Sequence, residues 1–335
     1  MNINRDIIIS DNELLEYGEI DNLSQKAESL LKHQKENWDL VKNNFNALND
    51  VQIKKYDFSD YYIRTQFNPS RITSTSAKVD KKSIENRKCF LCPQNLPSNQ
   101  KGIDYKNKYV ILCNPFPIFK QHLTIPTYLH TPQNIEHVLD DFMELSKDLG
   151  DNFFVFYNGP QCGASAPDHL HFQAGLKNST PLEENIKMLI EKYSTNIRID
   201  SNLRVDIVQH EVTKFIYLQS SEKEIIKKEF NKLYDALKSL ENINSEPMLN
   251  IICGNDNEVW QIFIFPREKH RPNQYFMDDN AKRLISPASV DMMGLLITPR
   301  IEDFEILTET EIKNIFSQVS FNDEKFRKVK LMISN

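Results

Sequence analysis

Tyr157-Asn158-Gly159-Pro160-Gln161-Cys162-Gly163-Ala164-Ser165-Ala166-Pro167-Asp168-His169-Leu170-His171-Phe172-Gln173-Ala174-Gly175 is the stretch on which the reading of the chain turns. Its second part, HLHFQAG, alternates polar and apolar residues with the period of a half-buried strand. His169, His171 and Gln173 then share one face, with Leu170 and Phe172 turned into a core. The two imidazoles stand ~7 Å apart on such a strand. A lone His-x-His is most often a solvated sheet face. Here a glutamine follows two residues on, and a small-residue loop precedes. Backbone N–H groups around Gly163, with the side chains of Asn158 and Ser165, suit phosphate oxygens.

Working outward, FFVFYN (153–158) and HLHFQAG read as strands flanking that loop. Upstream lie a helix over 133–149 and the strands HLTIP (122–126) and YVILCN (109–114). This order predicts an α+β unit on an antiparallel sheet. Farther upstream, apolar residues at three- and four-residue intervals predict one long helix over 22–48, then strands at 51–58 and 61–67 and a loop from Asn68 to Lys88. Downstream, a helix over 181–193, two strands within 204–219, a helix over 222–242 and a hairpin of 248–254 with 259–266, turning at Asn255-Asp256-Asn257, loosely echo the first half. The polar stretch 177–203 marks the boundary. The expected organisation is two halves, 1–180 catalytic and 181–335 shaping the pocket.

Cys89-Phe90-Leu91-Cys92 is the second chemical signal. Two thiolates three residues apart can clasp one zinc, which wants four tetrahedral ligands, and His130 and His169 are available. A redox pair normally sits at a helix N-terminus in a different context. Cys113, Cys162 and Cys253 read as small buried residues. The bulk numbers bound the rest. The chain has 335 residues, 40% hydrophobic and 26% charged, with a net charge of −6. That is a globular balance, and it argues against a nucleic-acid coat. No segment matches a secretory or membrane-spanning pattern, so the expectation is a cytoplasmic protein without nucleic-acid or membrane partners. A homodimer is compatible with the sequence.

The order CFLC, NPFPIFKQHLTIPTYLH, YNGPQCGASAPDHLHFQAG resembles the transferase branch of the histidine-triad superfamily, which includes uridylyltransferases and nucleotide phosphorylases. The resemblance is specific over about residues 60–175 and weaker over VWQIFIFPREKHRP and ISPASVDMMGLLITPR. It implies two histidine-triad-like halves and a nucleotidyltransferase or phosphorylase. The substrate would be a nucleoside diphosphate sugar or dinucleoside polyphosphate, and the acceptor phosphate or a sugar phosphate. It implies His171 as nucleophile on the α-phosphorus and Gln173 as partner of a non-bridging oxygen. His169 would join Cys89, Cys92 and His130 around a structural zinc, and Asn158, Gly163 and Ser165 would contact phosphates. Ser165 stands four residues before His169, one more than the uridylyltransferase pattern. Asn68, Arg71 and Lys78 fall in a segment similar to the nucleotide-contacting part of the phosphorylases. Arg64, and the downstream cluster Arg267, Lys269 and Arg271, are further candidates to meet phosphate charge. His122 matches a position near the family's active site, with a structural role equally open.

A histidine in place of Gln173 could exchange protons with water or a leaving group, whereas an amide only hydrogen-bonds. The residues therefore favour transfer. The competing readings are a hydrolase of the same superfamily and a non-enzymatic, zinc-stabilised nucleotide-binding module.

Overall fold

In the computed structural model, which describes residues 7–200 and 202–334, thirteen strands form two sheets. The strands are β1 Gln52–Phe58, β2 Tyr61–Phe67, β3 Gly102–Tyr105, β4 Tyr109–Cys113, β5 His122–Pro126, β6 Phe153–Asn158 and β7 His171–Leu176. They continue as β8 Ser194–Ile199, β9 Arg204–His210, β10 Thr213–Ser220, β11 Leu249–Asp256, β12 Val259–Pro266 and β13 Leu295–Thr298. Ten of them make one sheet in the order β3-β4-β5-β7-β6-β11-β12-β10-β9-β8, antiparallel throughout. Read outward from the central β6–β11 pair, the two sides repeat one topology. In each, a helix (Leu139–Asp148 or Lys223–Glu241) lies in sequence between the third and fourth strands. The fold is thus α+β, two similar halves fused edge to edge. A small sheet, β1-β2-β13, crosses between them, because β13 pairs in parallel with β2.

The sheet buries both faces differently. One face carries Ile111, Leu123, Phe172, Val155, Ile251, Ile264 and Ile216 and is covered end to end by helices. These are Leu23–Asn37, Asp39–Ala47, Leu139–Asp148, Lys223–Glu241 and Asp323–Ile333. The other face is packed under helices Pro181–Tyr193 and Glu309–Val319 over the second half only. Over the first half it is covered in part by Ile118 and Phe119 packed on Phe154 and Phe156, and otherwise faces a cavity.

Local chemistry explains most elements. Thr180 and Glu183 form a capping box with Pro181 in the first turn, so the helix begins where the sequence predicts. The expected helix over 22–48 breaks at Trp38, whose extended backbone (φ −138°, ψ 103°) tucks the indole into the core. The helix expected from 133 begins only at Leu139, because Gln133 and Ile135 are held by tertiary hydrogen bonds. The segment 68–88 holds short turns at Pro69–Arg71, Ile72–Thr75 and Lys81–Glu85. The β11–β12 hairpin turns at Asn257 and Glu258 (φ 51° and 66°), two residues later than expected. β8 is hidden in the polar stretch that reads as the boundary, and β3 (Gly102–Tyr105) adds a strand before β4.

Candidate active site

β7 starts at His171, so His169 lies just before the strand and the two rings part company. Phe172 and Leu170 enter the core as expected. His171 faces a cavity of about 560 Å³ and donates from Nδ1 to the His169 carbonyl at 2.7 Å. That bond fixes the tautomer and leaves the Nε2 lone pair free. Burial pushes the ring down to about 4, so the imidazole is neutral near pH 7. The strand is clamped from the side by Gln133. Its Oε1 accepts from His171 N (2.8 Å), and its Nε2 donates to the carbonyls of His171 and Asn158 (3.0 Å each).

Two amides flank the imidazole, and both are oriented by buried partners. His122 Nδ1 accepts from Ile118 N–H (3.1 Å), so its Nε2 carries the proton and donates to Gln173 Oε1 (3.1 Å). The Gln173 oxygen is thereby spoken for, and its NH₂ is left for the cavity. Burial depresses His122 to about 3, consistent with this neutral tautomer. On the other side Asn158 Oδ1 accepts from Ser289 N, Ser289 Oγ and Asn250 Nδ2 at 2.9, 2.7 and 3.0 Å. Its NH₂ is therefore also a donor toward the cavity. Asn250 Nδ2 additionally holds the Cys162 carbonyl of the small-residue loop (2.7 Å). Gly163 in that loop has φ +95°, and a Cβ there would lie 2.5 Å from Ala288 Cβ. Only glycine permits this close seating of the second half on the loop.

The other expected residues divide. Arg71, Lys78, Gly163 and Ser165 line the cavity with His171, Gln173 and Asn158. Arg71 is steered by the Phe116 carbonyl (2.7 Å) and Ser74 Oγ (2.9 Å), and Ser74 also meets Ser165 Oγ (3.2 Å). Asn68 is buried behind the wall, bonded to Gln66, Ser70 and the Pro117 carbonyl. Arg64 pairs with Glu184 on the surface. Lys269 bonds Asn273 and does not line the cavity. Arg267 is 1% exposed, its guanidinium spent on Asn250 Oδ1 and on the carbonyls of Val319, Pro287, Lys269 and His270. It reaches no cavity; it braces Asn250, and through it Asn158. Gln133, Asn250 and Ser289 carried no sequence signal, being common polar residues in segments that only the merged sheet brings together.

Cys89, Cys92, His130 and His169 converge, their ligand atoms all within 4.8 Å of one another. Cys89 Sγ lies 3.3 Å from His169 Nδ1, and Cys92 Sγ lies 3.1 Å from His130 Nδ1. A tetrahedral ion with two sulfur and two nitrogen ligands sets such separations at roughly 3.5 Å, so the donor set fits a metal. The outer partners fit as well. His169 Nε2 donates to the Thr127 carbonyl (2.8 Å), and His130 Nε2 faces Asp168 (3.6 Å), leaving both Nδ1 atoms to ligate.

The fold and the order of the motifs fit the transferase branch of the histidine-triad superfamily. Residues 30–176 match the family described as a domain of unknown function (DUF4922), and residues 190–335 match the GDPGP1-like, C-terminal domain. The chain is 28% identical over 233 residues to GDP-L-galactose phosphorylase 2 of Arabidopsis thaliana, an alignment covering 67% of this chain and 51% of that protein. The chain thus spans about half the length of this curated relative. Crystal structures of yeast Ap4A phosphorylase Apa2 in complex with AMP and with Ap4A share the fold. Their TM-scores are 0.53 and 0.51 at 16% identity, over 86% of this chain and 96% and 97% of theirs. No helix among the described residues is long and apolar enough to cross a membrane.

Proposed function

We propose that the protein is a nucleotidyltransferase of the phosphorylase type, working by ping-pong through a nucleotidyl group on His171. The observation that carries this reading is the free Nε2 of His171, facing a cavity between two outward-turned amide groups. In the first step Nε2 attacks the α-phosphorus of a nucleoside diphosphate sugar or dinucleoside polyphosphate. The bond to the bridging oxygen breaks, and its electron pair leaves with the distal phosphate. The Nδ1–H bond to the His169 carbonyl stabilises positive charge on the ring, while Gln173 and Asn158 donate to the phosphoryl oxygens. Arg71 and Lys78 balance the leaving phosphate. In the second step an oxygen of inorganic phosphate or a sugar phosphate attacks, the N–P bond breaks, and its pair returns to Nε2.

Zinc held by Cys89, Cys92, His130 and His169 would supply a structural clamp between the 89–92 loop and the residue whose carbonyl orients His171. Gln173 has no proton to exchange near pH 7, which favours transfer over hydrolysis. The test is intact mass spectrometry after incubation with nucleotide sugars and dinucleoside tetraphosphates. A nucleotidyl increment is expected on the wild type and none on His171→Ala, whose turnover should fall by about four to six orders of magnitude. Products that form at the same rate with and without phosphate would favour the hydrolase. Nucleotide binding with neither adduct nor product would leave only the binding module.

A further inference from the structure

The cavity has two chemically distinct ends, and the strand order separates them. Its floor runs across β4, β5, β7 and β6, with Leu112, Thr124, Gln173 and Phe156 directly in register. Beside β4 the lining includes Phe90, Leu91 and Leu96, with Arg87 and Gln100 among them. Toward the helix Ser289–Met292 it includes Ser286, His270, Arg271 and Asp291, along with Ala288 and Val290. The nucleophile stands between. A substrate with its α-phosphorus at His171 therefore meets Phe90, Leu91 and Leu96, which suit a base, on one flank, and Asp291 with its polar neighbours on the other.

Asp291 is the unusual group at the polar end. It is 6% exposed, and each carboxylate oxygen takes a single backbone donor, Ile297 N at 2.9 Å and Ala288 N at 2.8 Å. A carboxylate offers about four acceptor sites, so half remain. It makes no ion pair among the described residues; Arg71 and Arg267 act on it only at longer range. A buried carboxylate without a paired cation repels phosphate and welcomes neutral O–H donors.

On the reading of the site given above, we propose that Asp291 is a specificity-determining residue that accepts hydrogen bonds from hydroxyls of the distal sugar. The preferred substrate is then a nucleoside diphosphate sugar, not a dinucleoside polyphosphate. Helix Ser289–Met292 thus has two tasks: Ser289 orients Asn158 for the phosphate, and Asp291, two residues on, reads the sugar.

The test compares kcat/KM for the glucose esters of GDP, ADP and UDP, for their monodeoxy-sugar analogues, and for diadenosine and diguanosine tetraphosphate. The wild type should lose about 10- to 100-fold on removal of one particular sugar hydroxyl, the worth of a hydrogen bond to a charged group. In Asp291→Asn that discrimination should shrink toward unity, with the parent sugar slowed as much as the deoxy analogue. A dinucleoside tetraphosphate turned over as fast as the nucleotide sugars overturns the proposal, as does an equal response to every hydroxyl. Loss on replacing guanine by hypoxanthine, with no loss for any deoxy sugar, assigns the carboxylate to the base and overturns it too. Should Asp291→Asn fail to fold, the deoxy-sugar series on the wild type still decides. The mass increment on His171 keeps the two readings apart. An adduct formed without sugar discrimination sinks Asp291 alone, whereas no adduct from any probe sinks both.

Discussion

The two halves of the large sheet share a topology and use the same face in opposite ways. In the first half that face presents Thr124, Gln173, Asn158 and His171 to a cavity. Crossing the seam, the row Gln173–Phe156 continues as Ile252, Phe263 and Tyr217, and the cavity becomes a core closed by Leu182, Leu189, Ile312, Ile315 and Phe316. One sheet can afford an unfilled, polar face because its neighbour fills the equivalent one. The second half also reaches back: Asn250, braced by Arg267, and Ser289 hold Asn158 and the Cys162 carbonyl of the small-residue loop. On the proposed reading, the difference teaches that one half would carry the reacting groups while the other would supply rigidity and, through Asp291, selectivity.

The largest effect that would sharpen this division is on stability. Phe215 on β10 is fully buried against Phe263 and Phe265, with ring centroids 5.7 and 5.4 Å apart. Phe215→Ala should cost about 3–5 kcal/mol in urea unfolding, yet leave kcat per folded molecule within a few-fold of wild type. A collapse of kcat in protein that is still folded would mean that the second half takes part in the chemistry directly.

The candidate metal-binding cluster belongs wholly to the first half. About one zinc per chain is expected by metal analysis of protein purified without added zinc. Cys89→Ser should lower both the unfolding midpoint and the turnover, the latter by roughly ten- to a hundred-fold, as loss of ligand-orienting contacts does elsewhere. The cause would be a carbonyl of His169 no longer fixed beneath His171 Nδ1. Zinc-free protein with full activity and unchanged stability would remove the clamp from the account.

The seam can be tested by Asn250→Ala. This removes two hydrogen bonds to the first half and leaves one Arg267 nitrogen short of a buried acceptor. About 2–3 kcal/mol of stability should go, with a fall in kcat of about tenfold and little change in KM, because Asn158 loses one of the groups that aim its amide. Unchanged kcat at reduced stability would make the network structural only.

How much of this was legible beforehand follows the same division. The first half announces itself, because a candidate nucleophile and candidate metal ligands stand out as rare residue types at fixed spacings. His171 and Gln173 are singled out by spacing and line the cavity, and Cys89, Cys92, His130 and His169 are singled out and converge. The second half contributes Asn250, Ser289 and Asp291, whose types are common; the first-half partners of Asn250 and Ser289 lie 88 to 132 residues away in sequence, and Asp291 bonds backbone groups. Arg267 misled for the opposite reason. An arginine in a basic cluster suggests phosphate, but burial turned it into a brace. Trp38 and Gln133 show the same limit for local structure: helical periodicity ran through both, and tertiary contacts overrode it.

The smallest effect concerns Glu246, a buried acid at the seam that lies on the chain entering β11. It accepts from Tyr157 OH on β6 (2.8 Å) and from Ile135 N (2.7 Å). Burial outweighs both bonds and pushes its carboxyl up to about 7. An ordinary glutamate in the unfolded chain titrates near 4.5. Between those values the folded protein binds a proton that the unfolded chain has lost, so this group's contribution is full below pH 4.5 and is lost as pH rises through 7. Buried, neutral histidines such as His122 and His270 act in the opposite direction over part of the range, since they protonate on unfolding in acid. The wild-type curve alone is therefore ambiguous, and the difference from Glu246→Gln is the quantity to measure. Relative to the wild type, the variant should gain on the order of 1–2 kcal/mol between pH 5 and pH 8. A difference that is flat with pH would mean that the carboxyl is already ionised in the fold, and that the seam holds a charge rather than a proton.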